Sequence, residues 1–290
     1  MLETREKNKV DRSTLYLVAT PIGNLSDLSE RALKVLSEVD FIAAEDTRNS
    51  VRLLTHFGIK KSLVSYHEHN KREKGEEICD RLIAGESCAL ITDAGTPAIS
   101  DPGEDLVRLC AEKGIAVTSL PGCCAAITAL TLSALPTSRF CFEGFLSAVK
   151  KERIKTLEEL SGEKRTMIFH EAPHKLTATL ADMEKIFGSD RKISLCRELT
   201  KLNEDVMRTT LGEAVAYYKE HDPRGEYVLV VEGGSGANSD DFWSEMSVSE
   251  HVEHYISMGL ERMDAIKSVA KDRGVTKNVI YKEFVSKDNL

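Results

Sequence analysis

Short apolar runs alternate with amphipathic segments along the first half of the chain. The runs are residues 15–19, 41–44, 88–92 and 115–120. Their length is typical of buried strands, and apolar residues between them recur every three or four positions, as they do in helices. The clearest helix is predicted from Asp27 to Leu36, with Ser26 or Asp27 as its N-cap. The alternation predicts a parallel or mixed sheet covered by helices.

A second α/β domain is predicted from three further apolar runs, at residues 166–169, 193–196 and 227–231. The glycine- and serine-rich stretch 232–241 has the composition of a flexible linker. Beyond it, a glycine turn between two helical patterns suits a helix-turn-helix and a plain helical hairpin equally. The predicted organisation is a flexible N-terminus at 1–13, α/β domains at 14–144 and 145–234, and a helical extension at 242–290.

Composition narrows the class of protein. The 290 residues are 41% apolar and 30% charged, which is typical of a globular chain and not of a disordered or collagen-like one. No apolar run approaches the roughly 18 residues of a membrane span, and the first residues lack the apolar core of a secretory signal. The seven cysteines are odd in number and show no CxxC spacing. We therefore expect a cytoplasmic protein with reduced cysteines and no membrane association.

Three loops rich in glycine and proline each follow a predicted strand. They are residues 20–24, 93–103 and 121–125. Ligands of open α/β sheets bind outside the carboxyl ends of the strands, where glycine lets the backbone approach closely and proline fixes the loop shape. The loops therefore predict a nucleotide-sized pocket, although ordinary turns would also explain each one. Neither GxGxxG after a strand nor GxxxxGK[ST] occurs, which argues against a common dinucleotide or ATP site.

The segment His170–His174 matches the zinc-protease pattern HExxH. That chemistry requires both histidines on one helical face, and Pro173 keeps the preceding residue out of helical geometry. We therefore expect no metal site.

Charge is distributed unevenly. The net charge of −8 argues against a protein covered in nucleic acid, but the stretch from Arg48 to Lys74 holds seven basic residues against two acidic ones. That stretch could hold a phosphate backbone, or it could be a solvated face. The charged segments Glu45–Arg48 and Arg197–Lys201 each follow a predicted strand. Each could orient a substrate hydroxyl or form a structural salt bridge.

Taken together, five motifs resemble those of the tetrapyrrole methylase superfamily, and within it the enzymes that methylate small-subunit ribosomal RNA. The motifs are residues 16–25, 45–48, 93–103, 121–122 and 197–201. The resemblance runs from about Leu15 to Gly233, and the tail is similar to a helical extension of that family. It implies two α/β domains with S-adenosylmethionine in the cleft between them. It further implies 2′-O-methylation of cytidine 1402 in 16S rRNA, in the small ribosomal subunit, by a homodimer.

The resemblance also implies which residues contact the cofactor. These are Pro21, Gly23, Asp93, Gly95, Thr96, Pro97, Ser100, Cys124, Ala125, Phe169, Glu171 and Pro173. The chain departs from the family pattern at four of its positions. Serine is usual where Cys124 stands, and tyrosine, serine and arginine are usual where His170, Ala172 and Lys175 stand.

A ribose hydroxyl is a poor nucleophile at neutral pH, so a nearby proton acceptor would assist methyl transfer. The candidates are Glu45, Asp46, Asp93 and Glu198. The candidate RNA contacts are Arg48, Arg52, Lys71, Arg72, Arg197 and Lys201. Two alternatives remain, namely a tetrapyrrole-like small-molecule methyltransferase of the same superfamily and a non-enzymatic nucleic-acid-binding regulator built on the tail.

Overall fold

The computed structural model describes residues 9–234, 243 and 246–285. The chain divides into two compact units, one ending at Gly233 and the other starting at Gly234. Residues 1–8 of the predicted flexible N-terminus and residues 235–241 of the predicted linker lie outside the described residues. The larger unit contains two five-stranded sheets, and the smaller unit contains helices.

The first sheet is parallel, with the strand order β3-β2-β4-β1-β5. Its strands are β1 (Thr14–Val18), β2 (Phe41–Ala44), β3 (Ser62–Ser65), β4 (Cys88–Ile91) and β5 (Ala116–Leu120). Successive side chains of β1 enter two different apolar clusters, Leu15 and Leu17 one cluster, Tyr16 and Val18 the other. Both faces are therefore covered, which is why these strands are apolar runs without alternation.

Helices follow the strands of this sheet. They are α1 (Glu30–Glu38), α2 (Thr47–His56), α3 (Lys71–Ile83), α4 (Gly103–Glu112) and α5 (Ala125–Leu132). The predicted N-cap of the first helix is wrong. Its cap is Ser29, whose side chain accepts a hydrogen bond from the Ala32 amide. Leu25–Asp27 form a separate 3-10 turn capped by Asn24, so Ser26 and Asp27 lie before the helix.

The second sheet is mixed, with the order β6-β7-β10-β8-β9. Its strands are β6 (Phe140–Phe145), β7 (Thr166–Glu171), β8 (Lys192–Arg197), β9 (Asp205–Thr210) and β10 (Tyr227–Val231), with helices α6 (Lys150–Glu159), α7 (Pro173–Phe187) and α8 (Leu211–Glu220). One face packs on α6, α7 and α8, and the other packs on α5. The strand β6 includes residues 140–144, which the sequence analysis placed in the first α/β domain. The predicted fold class, two helix-covered α/β sheets with a helical extension, is confirmed.

The smaller unit is built from α9 (Val248–Ser257), α10 (Arg262–Asp272) and α11 (Lys277–Val285). The three helices share one core, to which Val252, Ile266 and Ile280 contribute. His251 is fully buried, and its ring stacks against Trp243 and Tyr255. Among the described residues, none of the helices combines the length and the apolar character that crossing a membrane requires.

Candidate active site

The loops that follow β1, β4 and β5 meet at one edge of the first sheet. Thr20 and Gly95 exchange two backbone hydrogen bonds, of 2.9 and 3.0 Å, and the Thr96 hydroxyl donates to the carbonyl of Cys123 at 2.8 Å. Gly95 has a φ of 87°, a conformation that favours glycine. We call residues 20–24, 93–103 and 121–125 together the loop wall, because backbone and hydroxyl hydrogen bonds join them.

A cleft of about 520 Å³ opens beside the loop wall. It lies where β4 is inserted between β2 and β1, so that the strand order reverses. This is the position at which open α/β sheets bind their ligands. Of the predicted residues, the cleft is lined by Pro21, Gly23, Arg52, Asp93 and Lys201.

Two predicted acids, Glu45 and Asp93, follow neighbouring strands of the first sheet, and of these only Asp93 lines the cleft. Asp93 is exposed and accepts a 3.1 Å hydrogen bond from the side-chain amide of Asn49, which lies in the first turn of α2. Glu45 is half-buried and accepts a 2.9 Å hydrogen bond from Thr92. Asp93 therefore presents its carboxylate to the cleft, whereas Glu45 supports the residue at the end of β4.

Asp46 serves the helix that follows it. Its carboxylate accepts from the Arg48 amide at 2.8 Å and from the Arg48 guanidinium at 3.0 and 2.7 Å, and it caps α2. The hydrogen bonds from the Arg48 side chain and amide lower the pKa of Asp46 to about 2. A carboxylate with so low a pKa is a weak proton acceptor.

The opposite side of the cleft is held by ion pairs. The Lys201 ammonium lies 2.9 Å from Glu198 and 2.8 Å from Glu226. Burial disfavours the charged form of Lys201, but the two carboxylates outweigh it and raise the lysine pKa. The Lys201 hydrogen bond and the Glu226 amide lower the pKa of Glu198. We call residues 197–201 with Glu226 the ion-pair wall.

The two walls touch at Gly23. A Cβ at this position would lie 2.5 Å from Cγ of Lys201 and 2.7 Å from Oγ1 of Thr200. The amide of Asn24 also donates to that Thr200 hydroxyl at 3.1 Å. Glu198 and Thr200 have φ values of 51° and 64°. Such values are uncommon outside glycine and cluster at functional sites.

One predicted cofactor residue, Ser100, lies where the loop wall reaches the second sheet. Oγ of Ser100 is 3.3 Å from the place a Cβ would occupy on Gly144 of β6. The His170 ring lies near there, 5.2 Å from Phe142 and 5.3 Å from Phe145, and burial lowers its pKa. Its Nε2 is buried and makes no hydrogen bond within the described residues.

Residues Phe169 and Glu171 flank His170 on β7 but point to the opposite face of the sheet. Phe169 is fully buried in the cluster with α6, α7 and α8. The Glu171 carboxylate accepts from Thr179 at 2.6 Å and from the Ala172 amide at 2.8 Å, and lies 3.1 Å from Lys175. The Glu171 side chain therefore anchors α7. The His170 ring lies on the other face of the sheet, the face that packs on α5.

The remaining predicted cofactor residues are structural neighbours of this region. Cys124 is the N-cap residue of α5 and Ala125 its first residue, and both pack against the cluster between α5 and the second sheet. Pro97 is buried in its loop, and Pro173 is the first residue of α7.

The predicted RNA contacts are dispersed. Arg52 and Lys201 line the cleft, and Arg48 is exposed beside Asp46. Lys71 is held by Glu68 and Asp105, each at 2.7 Å. Arg72 is exposed on α3, whereas Arg197 is half-buried at the end of β8.

Several polar residues of the cleft were not predicted from the sequence, among them Asn49, His56, Thr92 and Glu226. The signal for the first two was the helix that starts directly after β2, since Asp46 is a good N-cap and places that helix at the carboxyl edge. Glu226 comes from the turn before β10, and nothing in its spacing pointed to the cleft.

The comparison with protein families agrees with this architecture. The sequence profile of the Tetrapyrrole (Corrin/Porphyrin) Methylases matches residues 14–215. The chain belongs to this family.

Two curated relatives are particularly similar. A Ribosomal RNA small subunit methyltransferase I from Halalkalibacterium halodurans is 53% identical over 273 residues, covering 93% of this chain and 94% of the relative. The protein of the same name from Bacillus subtilis is 46% identical and covers 95% of both chains.

Solved structures share the fold at low identity. Diphthine synthase superposes with a TM-score of 0.58 at 14% identity, covering 76% of this chain and 90% of that one. A uroporphyrin-III C-methyltransferase from Thermus thermophilus, solved with S-adenosylhomocysteine, gives a TM-score of 0.53 at 15% identity, covering 75% and 96%.

Proposed function

We propose that this protein transfers a methyl group from S-adenosylmethionine to a ribose 2′-hydroxyl of 16S rRNA in the small ribosomal subunit, at cytidine 1402. Relatives that are 53% and 46% identical are named as small-subunit rRNA methyltransferases. The observation that carries the proposal is the cleft, which the Asp93 carboxylate lines together with Arg52 of α2 and Lys201 of the ion-pair wall. Such a site suits a hydroxyl nucleophile attached to a phosphate backbone.

The residues fit an adenosyl cofactor. The His170 ring with Phe142 and Phe145 offers an aromatic face, and its buried Nε2 offers an unpaired polar atom. The Ser100 hydroxyl lies beside Gly144 of β6, the residue next to Phe145. When bound, S-adenosylmethionine supplies an electrophilic methyl group.

Asp93 is our choice as the group that orients the 2′-hydroxyl and accepts its proton. The other three candidate acids are committed elsewhere, Glu45 to Thr92, Asp46 to Arg48 and Glu198 to Lys201. Asn49 holds the Asp93 carboxylate in position. Arg52 and Lys201 then contact the neighbouring phosphates, which aligns the ribose for transfer.

The test is methyl transfer from labelled S-adenosylmethionine to purified small subunits, with the product nucleoside identified by mass spectrometry. We expect 2′-O-methylcytidine from the unmodified chain and a roughly 100-fold or greater loss of rate for Asp93→Asn. Asp222→Asn, at an exposed position outside the cleft, is the matched control.

Two outcomes would contradict the proposed activity, and a third would contradict only the role of Asp93. Transfer to a porphyrinogen but not to rRNA would identify a small-molecule methyltransferase. Absence of cofactor binding by calorimetry would favour a non-enzymatic regulator. An undiminished rate for Asp93→Asn would remove Asp93 from the chemistry while leaving the activity.

The proposal carries two further expectations, a cytoplasmic location and a homodimer. Light scattering of the purified chain tests the second of these directly.

A further inference from the structure

The helices α10 and α11 of the smaller unit are joined by a short turn, and most of the α11 side chains that the structure describes are exposed. The turn contains Gly274, whose φ of 64° reverses the chain. Among the α11 side chains that the structure describes, Ile280 and Phe284 are buried, one helical turn apart. The other described positions of α11 are exposed, so one narrow stripe holds the helix and a broad face is open.

The part of this face that carries Lys277 and Lys282 is basic, and Glu283 lies about 100° further round the helix. From Lys267 to Lys282 the chain has five basic residues and one acidic residue, Asp272. Asp272 accepts a 2.7 Å hydrogen bond from the Tyr255 hydroxyl, and Arg273 donates to the Met246 carbonyl at 2.6 Å, so both are used inside the unit.

Three lysines of this stretch remain available, Lys271, Lys277 and Lys282. All three are exposed, and none makes an ion pair with another described residue. Four acidic residues of the unit precede these lysines in the sequence, on α9 and at the start of α10, namely Glu250, Glu253, Glu261 and Asp264.

The exposed side chains of α11 match a phosphate and ribose surface. Lys277 and Asn278 lie one turn before Tyr281 and Lys282, so the four share a face. Lysine, asparagine and tyrosine are side chains that contact phosphate oxygens and sugars. We propose that α11 and the turn before it form a docking surface for double-helical RNA.

This inference rests on the proposed function, because RNA is the substrate there. The deep, narrow major groove of an A-form duplex does not admit side chains, so proteins contact its phosphates and 2′-hydroxyls across the minor groove. A row of lysines with an amide and a phenol suits that contact. The surface adds affinity for the rRNA and takes no part in methyl transfer.

The experiment compares the full chain with its Lys277→Gln/Lys282→Gln variant. The matched control is Lys185→Gln/Lys219→Gln, two exposed lysines near the ends of α7 and α8 that line no part of the cleft. Binding to a labelled RNA hairpin is followed by fluorescence anisotropy from 50 to 200 mM salt, alongside methyl transfer to small subunits. Unchanged circular dichroism melting shows that each variant is folded.

We expect the double variant to bind the hairpin roughly tenfold more weakly, and the slope of log K against log salt to fall by about 2. In the methyl-transfer assay, KM for the small subunit rises and kcat stays the same. Tyr281→Phe, which removes one hydroxyl, gives a smaller loss of affinity. The control variant matches the unmodified chain in every measurement.

An unchanged dissociation constant and salt slope would overturn the inference, as would tighter binding to a DNA duplex of the same sequence. A fall in kcat with an unchanged KM would also contradict it. Failure of the proposed function is a separate result. In that case the unmodified chain methylates no rRNA, while the difference in hairpin affinity between the double variant and its control still decides whether α11 binds RNA.

Discussion

The two walls of the cleft are built by different forces. In the loop wall, backbone hydrogen bonds between Thr20 and Gly95 and the Thr96 hydroxyl bond to Cys123 join neighbouring loops. In the ion-pair wall, Lys201 holds Glu198 and Glu226. The loop wall is thus fixed mainly by backbone and hydroxyl hydrogen bonds and by glycine geometry, with one carboxylate, Asp101, that accepts from the amides of Ala98 and Gly103. The shape of the ion-pair wall depends on the ionisation of its side chains.

The two walls should therefore respond differently to salt. Hydrogen bonds between neutral groups are barely affected by salt, whereas partly exposed ion pairs weaken as salt screens them. We therefore expect the loop wall to keep its conformation as salt changes. The ion-pair wall can exchange its internal ion pairs for contacts with a charged substrate. The four predictions below test this contrast, beginning with the largest expected effect.

The strongest test is Gly23→Ala, at the place where the walls touch. The new methyl group would lie 2.5 Å from Lys201 and 2.7 Å from Thr200, so one wall must move. We expect unfolding to become easier by about 1–3 kcal/mol and methyl transfer to fall at least roughly tenfold. Urea unfolding and the transfer assay measure both. Gly162→Ala is the control, because a Cβ there has no neighbour within 4 Å. Equal behaviour of the two variants would show that the walls do not depend on this contact.

The second test compares one bond from each wall. Thr96→Val removes a hydroxyl donor, and we expect a loss of about 1 kcal/mol that is the same at low and high salt. Lys201→Gln removes two ion pairs, and we expect a loss of at most about 1 kcal/mol that shrinks as salt rises. Urea unfolding at two salt concentrations distinguishes them, with Thr96→Ser and Lys201→Arg as controls. The same salt dependence for both would refute the contrast.

The third test is acidification. The folded-state pKa of Glu198 is lowered by Lys201, so its stabilising contribution is present above about pH 4.5 and is lost as the pH falls through that lowered pKa. Asp101 of the loop wall has the opposite sign, since burial raises its pKa and the folded state takes up its proton more readily. Hydrogen exchange from pH 6 to 3, corrected for the intrinsic rate, should therefore show amides 198–201 losing protection before amides 98–103. Simultaneous loss would contradict the assignment.

The smallest effect is expected at Leu202, the residue that follows the ion-pair wall in the sequence. Leu202 is 99% exposed and packs on nothing in the larger unit. We expect Leu202→Ser to change the free energy of unfolding by less than about 0.5 kcal/mol. A larger change in a urea titration would mean that Leu202 is packed in solution. Leu199→Ser, at a buried position of the same segment, is the contrasting variant and should destabilise strongly.

The alternating pattern predicted the first sheet well, because its strands are buried on both faces and read as continuous apolar runs. It did not predict β3, β6 or β9. The strand β9 (Asp205–Thr210) is mostly polar and half-exposed at a sheet edge, so burial leaves little mark on its sequence. The helix α2 was missed because its few buried positions, Ser50 and Leu54, make a weak apolar stripe.

The candidate site was predictable where it depends on the backbone. Glycine and proline after a strand predict a loop at the carboxyl edge of the sheet. The loops after β1, β4 and β5 do meet at that edge. Side-chain roles were less accessible, because they depend on partners distant in sequence. Glu198 and Lys201 are neighbours along the chain, yet their common partner Glu226 lies 25 residues beyond Lys201. On β7, spacing could not show that His170 lies on the α5 face of the second sheet, beside Phe142 and Phe145, while Glu171 lies on the other face.

The helix α5 ties the two sheets into one folding unit. It follows the last strand of the first sheet, yet Ala126, Ala129 and Leu130 pack on Ile168 and Val230 of the second sheet. A chain cut between residues 144 and 145 would leave this helix without its partner and the second sheet with one apolar face uncovered. Neither half can then complete its core alone. We therefore expect the described residues up to Gly233 to unfold together, with the cleft lost when either sheet is lost.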